Sequence, residues 1–239
     1  MATDNDARPP VLLTRKINKA LRQYADRQGL ALEGVAYTTT AWMTLRETPW
    51  VSDLNEEDWS AWIFTSPRGV EGLMKLLGRE VFENAPKLIY TVGEKTRMAL
   101  PEGVFEVRAS QKGGNALADL IRDYKHKTSK MAFIGASDPN PDLLRSLRMA
   151  GMEVKHMPVY KTIKQTKASP RRSAYEAVLF ASPKAVESYF EQRHPEARHW
   201  VAIGQTSALA IEKAGKTPEV PSGRPSLESM LEFTARVLR

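Results

Sequence analysis

The sequence predicts an α/β fold of two similar parallel-sheet domains, one of them discontinuous in the chain. Three observations predict it. Short apolar runs alternate with helix-period segments along the whole length. A set of short motifs occurs twice, in the same order and at a nearly constant offset. One strand–helix–strand unit stands first in one copy and last in the other.

VLLT (11–14) precedes Ile17, Ala20, Leu21 and Tyr24, and WIFT (62–65) precedes Val70, Leu73, Met74 and Leu77. KLIYTV (87–92) precedes a segment with Met98, and AFIG (132–135) precedes Leu143, Leu144 and Leu147. AVLFA (177–181) precedes Val186, Tyr189 and Phe190, and WVAI (200–203) precedes Ala208 and Leu209. Spacings of three and four mark amphipathic helices, and short β-rich apolar runs mark buried strands. Strand–helix alternation of this kind predicts parallel sheets with helices on both faces.

The duplication sets the domain plan. FTSPRGVE (64–71) matches FASPKAVE (180–187), TVGEKTRMAL (91–100) matches AIGQTSALAI (202–211), and GGNALADLI (113–121) matches GRPSLESML (223–231). GVFEV (103–107) resembles TPEV (217–220). The three offsets are 116, 111 and 110 residues, a regularity that argues for two similar domains. VLLTRKINKALRQYADRQGLALEGVAYT (11–38) resembles MAFIGASDPNPDLLRSLRMAGMEVKHMPVY (131–160), in permuted position. The simplest solution is an insertion: residues 1–38 with 166–239 form one domain, and residues 42–160 sit inside it. The chain then crosses between domains over residues 37–41 and 159–165, a short double hinge. Domain interfaces are favoured ligand sites.

Composition narrows the function. The chain has 239 residues and no cysteine, which removes disulfides, thiolate metal sites and a cysteine nucleophile. His126, His156, His194 and His199 are scattered without a pair four residues apart, so no metal site is expected. No apolar run approaches the roughly 20 residues of a membrane span. The start, MATDNDARPP, has no apolar region of a signal peptide, so a cytoplasmic protein is expected, acting as a monomer and away from membranes. Thirty-five Lys and Arg against 28 Asp and Glu give a net charge of +7, which suits an anionic partner. The charges are interspersed, with no basic block or finger spacing, so nucleic acid is not expected to be that partner.

The matched turns carry the chemistry. Ser66 and Ser182 are N-cap candidates, followed by Pro67 and Pro183 at the first helical position. Gly93 and Gly204 end strands and allow close backbone approach, and Thr96 and Thr206 fall at or near helix starts. All four turns are expected at the C-terminal ends of parallel strands, where open α/β sheets bind ligands. Each offers N–H groups and a positive helix end, which suit carboxylates or phosphates. If the domains face one another, the turns line one cleft. GEKT (93–96) lacks the spacing of a nucleotide loop, no G-x-S-x-G elbow occurs, and Glu71 and Glu187 fit helix-surface positions.

In this order FTSPRGVE, TVGEKT, GGNALADLI, the stretch from Gly151 to VYKTI, FASPKAVE, AIGQTS and PSLESML resemble the uroporphyrinogen-III synthase family, from about residue 11 to residue 238. The resemblance implies two similar flavodoxin-like βα domains joined by a two-stranded linker, with the active site in the cleft between them. It implies a lyase without cofactor that cyclises hydroxymethylbilane, a linear tetrapyrrole polycarboxylate. The ring A hydroxyl is lost, ring D attacks through a spiro intermediate, and closure gives uroporphyrinogen III with ring D inverted. By matching position, Tyr160 in VYKTI is implied to assist loss of the hydroxyl. Thr65, Ser66, Gly93, Thr96, Ser182, Gly204 and Thr206 are implied to meet substrate carboxylates, with Thr206 and Thr96 as counterparts. The rival expectation is a non-catalytic two-domain protein that binds a small polyanion and has no need of Tyr160.

Overall fold

Runs that are apolar at every position have to become strands covered on both faces, because period-2 exposure would leave half of each run in water. The computed structural model describes residues 8–55, 58–103, 105–110, 114–123, 130–139, 141–223 and 225–239. Val104, Gly113, His126 and Arg224, which figure in the segments above, lie outside the described residues, as does the stretch MATDNDA.

The elements begin with β1 (Pro10–Leu13), α1 (Lys19–Arg27), β2 (Ala31–Gly34), β3 (Thr38–Trp42), β4 (Ala61–Phe64) and α2 (Pro67–Leu77). Then come β5 (Leu88–Val92), α3 (Glu94–Ala99), β6 (Glu106–Ser110), α4 (Gly114–Asp123), β7 (Lys130–Ala136), α5 (Pro141–Met149) and β8 (Glu153–Lys164). The chain ends with β9 (Ala174–Phe180), α6 (Pro183–Phe190), β10 (Glu196–Ala202), α7 (Gln205–Lys213), β11 (Pro218–Glu219) and α8 (Leu227–Val237). Two compact units result, residues 1–39 with 163–239 and residues 40–162, and their boundaries fall inside β3 and β8.

In the first unit the described strands form a five-stranded sheet in the order β2-β1-β9-β10-β11, parallel throughout. Leu12 of β1 stands opposite Val178 of β9 at its centre, and both are fully buried. In the second unit the order is β3-β8-β7-β4-β5-β6, and the pairings β8-β7-β4-β5-β6 are parallel. Laid side by side, β8-β7-β4-β5-β6 and β2-β1-β9-β10-β11 are the same arrangement, with the β1–β2 pair moved to the front of the chain.

The right-handed crossover rule then fixes where the helices go. From β4 the chain winds one way through α2 and α3, and these pack on the face holding Trp62, Phe64, Val70, Leu73 and Val159. From β7 it winds the other way, so α5 packs with α4 on the opposite face, around Ile63, Phe133, Leu117 and Leu144. The first unit repeats this, with α6 and α7 on one face and α1 and α8 on the other.

Local details differ from the sequence pattern in three places. Ile17 precedes α1, because Asn18 caps that helix by accepting the Leu21 N–H at 2.8 Å. Met98 is 76% exposed: α3 turns Thr96 and Ala99 toward the sheet, which puts Met98, two residues from Thr96, on the outer face, and the helix ends after six residues ahead of Pro101. Leu209 is also exposed, and α7 buries Ala208 and Ile211 instead.

Candidate active site

Open α/β sheets bind ligands where the strand order reverses, outside the carboxyl ends of the two strands that diverge there. In the second unit that point lies between β4 and β7. β4 runs out at Phe64 into Thr65 and Ser66, and β7 runs out at Ala136 into Ser137. Tyr160 comes to the same edge from β8.

Three features seat Tyr160 there. First, the β7–β8 register slips: Gly135 pairs with Pro158, but Ala136 pairs with Tyr160, so Val159 is an extra residue. Alternation would send Val159 and Tyr160 to opposite faces. The slip leaves both in the same core as Met157, which is the way a bulge re-aims a side chain. One backbone and one side-chain bond fix it, with Ser137 N–H donating to the Tyr160 carbonyl at 2.8 Å and His156 Nε2 lying 2.8 Å from the Ala136 carbonyl. Second, α2 lies close against the sheet through two glycines. A Cβ on Gly69 would come 2.7 Å from the Ile134 carbonyl, and one on Gly72 would come 2.8 Å from Val159 Cγ2. Third, Trp42 of β3 packs edge-on against the Tyr160 ring at 6.3 Å, and Lys75 Nζ sits 5.2 Å over the Trp42 ring.

The result is a hydroxyl pair, with Ser66 Oγ 3.0 Å from the Tyr160 phenol oxygen. Tyr160 is 8% exposed and Ser66 half-buried, so the pair is shielded but not sealed. Ser66 is the N-cap residue of α2, yet its side chain makes no capping bond. Its counterpart Ser182 does cap α6, accepting the Ala185 N–H at 3.3 Å. One motif thus has two hydroxyl fates. Next to Tyr160, Lys161 Nζ pairs with Glu47 at 2.7 Å. That bond, then those from the Thr44 N–H and hydroxyl, hold the Glu47 carboxyl down to about 2.

The other expected residues fall at the same edges of their own sheets. The β4–β5 register, Phe64 opposite Thr91, sets the Ser66 turn beside the Gly93 turn. The β9–β10 register, Phe180 opposite Ala202, sets the Ser182 turn beside the Gly204 turn. Thr65 is half-buried. Gly93 has φ 76°, which favours glycine, and donates its N–H to the Ser110 carbonyl at 2.8 Å. Gly204 is extended and makes no such demand.

One expected correspondence is corrected. Counted from the glycines, Thr96 matches Ser207, and Thr206 matches Lys95. Thr96 and Ser207 are the third residues of α3 and α7 and are buried, whereas Lys95 and Thr206 are exposed. Thr96, 2% exposed, presents no open hydroxyl, and Thr206 does not share its environment.

Sequence reasoning missed Trp42, Gly69, Gly72 and the slip at Val159. The G-x-x-G spacing inside RGVEG (68–72) was the signal available for the close approach of α2. Among the described residues no cluster of His, Asp and Glu is arranged to hold a metal ion, and no helix is long and apolar enough to cross a membrane.

Known proteins share this fold. The family model described as uroporphyrinogen-III synthase HemD matches residues 39–232. Uroporphyrinogen-III synthetase from Helicobacter pylori superimposes with a TM-score of 0.66 at 18% identity, over 97% of this chain and 100% of that one. A mutant uroporphyrinogen III synthase from the extremely thermophilic bacterium Thermus thermophilus superimposes with a TM-score of 0.53 at 18% identity, over 96% of this chain and 98% of that one. At these identities the two structures establish the shared fold. No curated protein matches the chain by sequence.

Proposed function

The chain belongs to the uroporphyrinogen-III synthase family, and on that premise we propose that Ser66 and Tyr160 handle the hydroxyl lost from its substrate. The reaction is the closure of hydroxymethylbilane to uroporphyrinogen III, with loss of water and inversion of ring D. The enzyme is a lyase. The observation that carries the site assignment is the 3.0 Å contact between the two hydroxyls at the point where the strand order reverses.

A tyrosine hydroxyl has one proton to give. If Ser66 donates to the phenol oxygen, the phenol proton is free to point at a third group. A leaving hydroxyl on ring A is such a group, because negative charge grows on its oxygen as the C–O bond breaks and the pyrrole pushes its electron pair in. A donor already oriented toward that oxygen stabilises the transition state more than the bound ground state. The hydroxyl takes the phenol proton and departs as water, ring D attacks the carbon it leaves, and the proton that ring D loses at final closure restores the phenol. The rest of catalysis is control of shape, since the open chain also closes without inversion.

The substrate's carboxylates require donors, and the turns supply them. In this proposal the backbone at Thr65, Ser182 and Gly204 and the exposed hydroxyl of Thr206 meet acetate and propionate arms, aided by the N-terminal ends of α2, α6 and α7, while Gly93, whose N–H is held by the Ser110 carbonyl, shapes its turn for close approach. Thr96 contributes packing beneath the Gly93 turn. The test is incubation with freshly generated hydroxymethylbilane and separation of the product isomers. Isomer III is expected, and isomer I alone, at the spontaneous rate, would return the chain to the class of non-catalytic polyanion binders.

A further inference from the structure

A cavity of about 850 Å³ lies wholly within the first unit, along the outer side of the edge strand β2. It shares no residue with the site built on Ser66 and Tyr160. Its walls are β2 itself, α1, the loop after β1 and the segment from Gln165 to Arg172.

Two features distinguish it. The first is charge. Lys16, Arg22, Lys167 and Arg171 line it together with Arg8 and Arg172, against only two carboxylates, Asp26 and Glu33. Asp26 is bound to Arg8 at 2.7 Å. Glu33 accepts the Arg171 N–H at 2.9 Å and the Tyr175 hydroxyl at 2.7 Å, so its two oxygens hold the 171–175 segment in place. The side chains of Lys16, Lys167 and Arg171 have no ion-pair partner among the described residues. Other lysines of the chain are paired, Lys155 with Asp53, Lys161 with Glu47, and Lys164 with Glu187 and Glu191, but those stand singly on the surface and do not converge on a cavity. Like charges converging on one concavity repel, and an anion between them relieves that repulsion.

The second feature is the strand edge. Ala31 and Val35 donate their N–H groups to Pro9 and Leu13. The alternate residues Leu32 and Gly34 therefore turn theirs to the free edge, where Arg22 also reaches the Leu32 carbonyl at 3.4 Å. Backbone donors, guanidinium forks and ammonium groups face one concavity of a size that suits a small metabolite.

We propose that this cavity binds a small, multiply charged anion, a phosphorylated or polycarboxylic metabolite, at a site separate from the cyclisation site. The experiment is calorimetric titration of the full chain with pyrophosphate and, separately, with citrate, at low and at physiological salt. Saturable one-to-one binding that weakens with salt is expected for at least one of them. The tighter probe tells phosphate chemistry from carboxylate chemistry.

In the variant Lys167→Glu/Arg171→Glu the affinity should fall by about tenfold or more, as expected when charge-assisted donors become acceptors. Lys167→Arg should retain it. The melting curve and kcat/KM for hydroxymethylbilane should stay those of the parent. The proposal is overturned if neither probe binds, if the double variant binds as the parent does, or if a short RNA binds where both probes fail. It is also overturned if the double variant's loss comes with a matching rise in KM, which would make the cavity part of the cyclisation site.

Discussion

Ser66 and Ser182 occupy the same place in the two repeats, and their hydroxyls go to different partners: the Tyr160 phenol for one, the Ala185 N–H for the other. Substitution separates the two. Ser182→Ala removes a cap and should cost about 1 kcal/mol of stability, measured by denaturant unfolding. Ser66→Ala removes no cap, so its stability loss should be smaller, and its effect should appear in turnover. Tyr160→Phe keeps the ring against Trp42 and deletes the proton donor; kcat should fall about 10–100-fold with KM little changed. Parental turnover in a folded Tyr160→Phe protein would remove the phenol from the mechanism. Ser182 as a cap could be read from Ser-Pro before a helical run. The diversion of Ser66 could not, because its partner lies 94 residues away and comes within reach through a register slip that no local spacing records. The Thr96–Thr206 pairing failed for a different reason. It followed residue type, while the glycines Gly93 and Gly204 set the count.

At the level of elements, α2 positions the site by how closely it lies on the sheet. Gly69→Ala places a Cβ 2.7 Å from a backbone oxygen, which no rotamer change relieves. Roughly 1–3 kcal/mol of destabilisation is expected from this overpacking. Turnover should drop as well, because the helix that carries Ser66 is pushed outward; thermal unfolding and steady-state rates measured together test this. The equivalent position of α6 is already Ala185, buried without penalty. β8 adds a pH dependence. Burial pushes the His156 imidazole down, outweighing its bond to the Ala136 carbonyl. The unfolded chain then binds a proton the folded chain resists, so stability is full above the ordinary histidine range of about 6.5 and declines as pH falls below it toward the lowered folded value. His156→Gln should flatten that decline in unfolding free energies measured across the range. The strands themselves could be read from their unbroken apolar runs. The shortness of α3 could have been read from Pro101, and the slip in β8 could not.

For the molecule as a whole, the two sheets carry one strand order in two chain orders. We expect a fragment of residues 40–162 to fold alone, since it holds every strand of its sheet except the first residues of β3 and the last of β8. A fragment of residues 1–120 should not, because it lacks β7 and β8 from one sheet and β9 to β11 from the other. Circular dichroism of the two fragments decides this, and the reverse outcome would redraw the units. The permutation also sets a timetable during synthesis. β1 and β2 leave the ribosome ahead of the other described strands, yet Leu12 meets its neighbour Val178 only after the whole 40–162 unit has been made. At elongation rates of roughly 5–20 residues per second, that wait is on the order of ten seconds or longer. Throughout it Val11, Leu12 and Leu13, which finish almost wholly buried, belong to a nascent chain with no sheet to join. A segment translated well before its sheet neighbours is among the last to be protected, so growing cells under heat stress should lose this protein at the ribosome before they lose the finished enzyme.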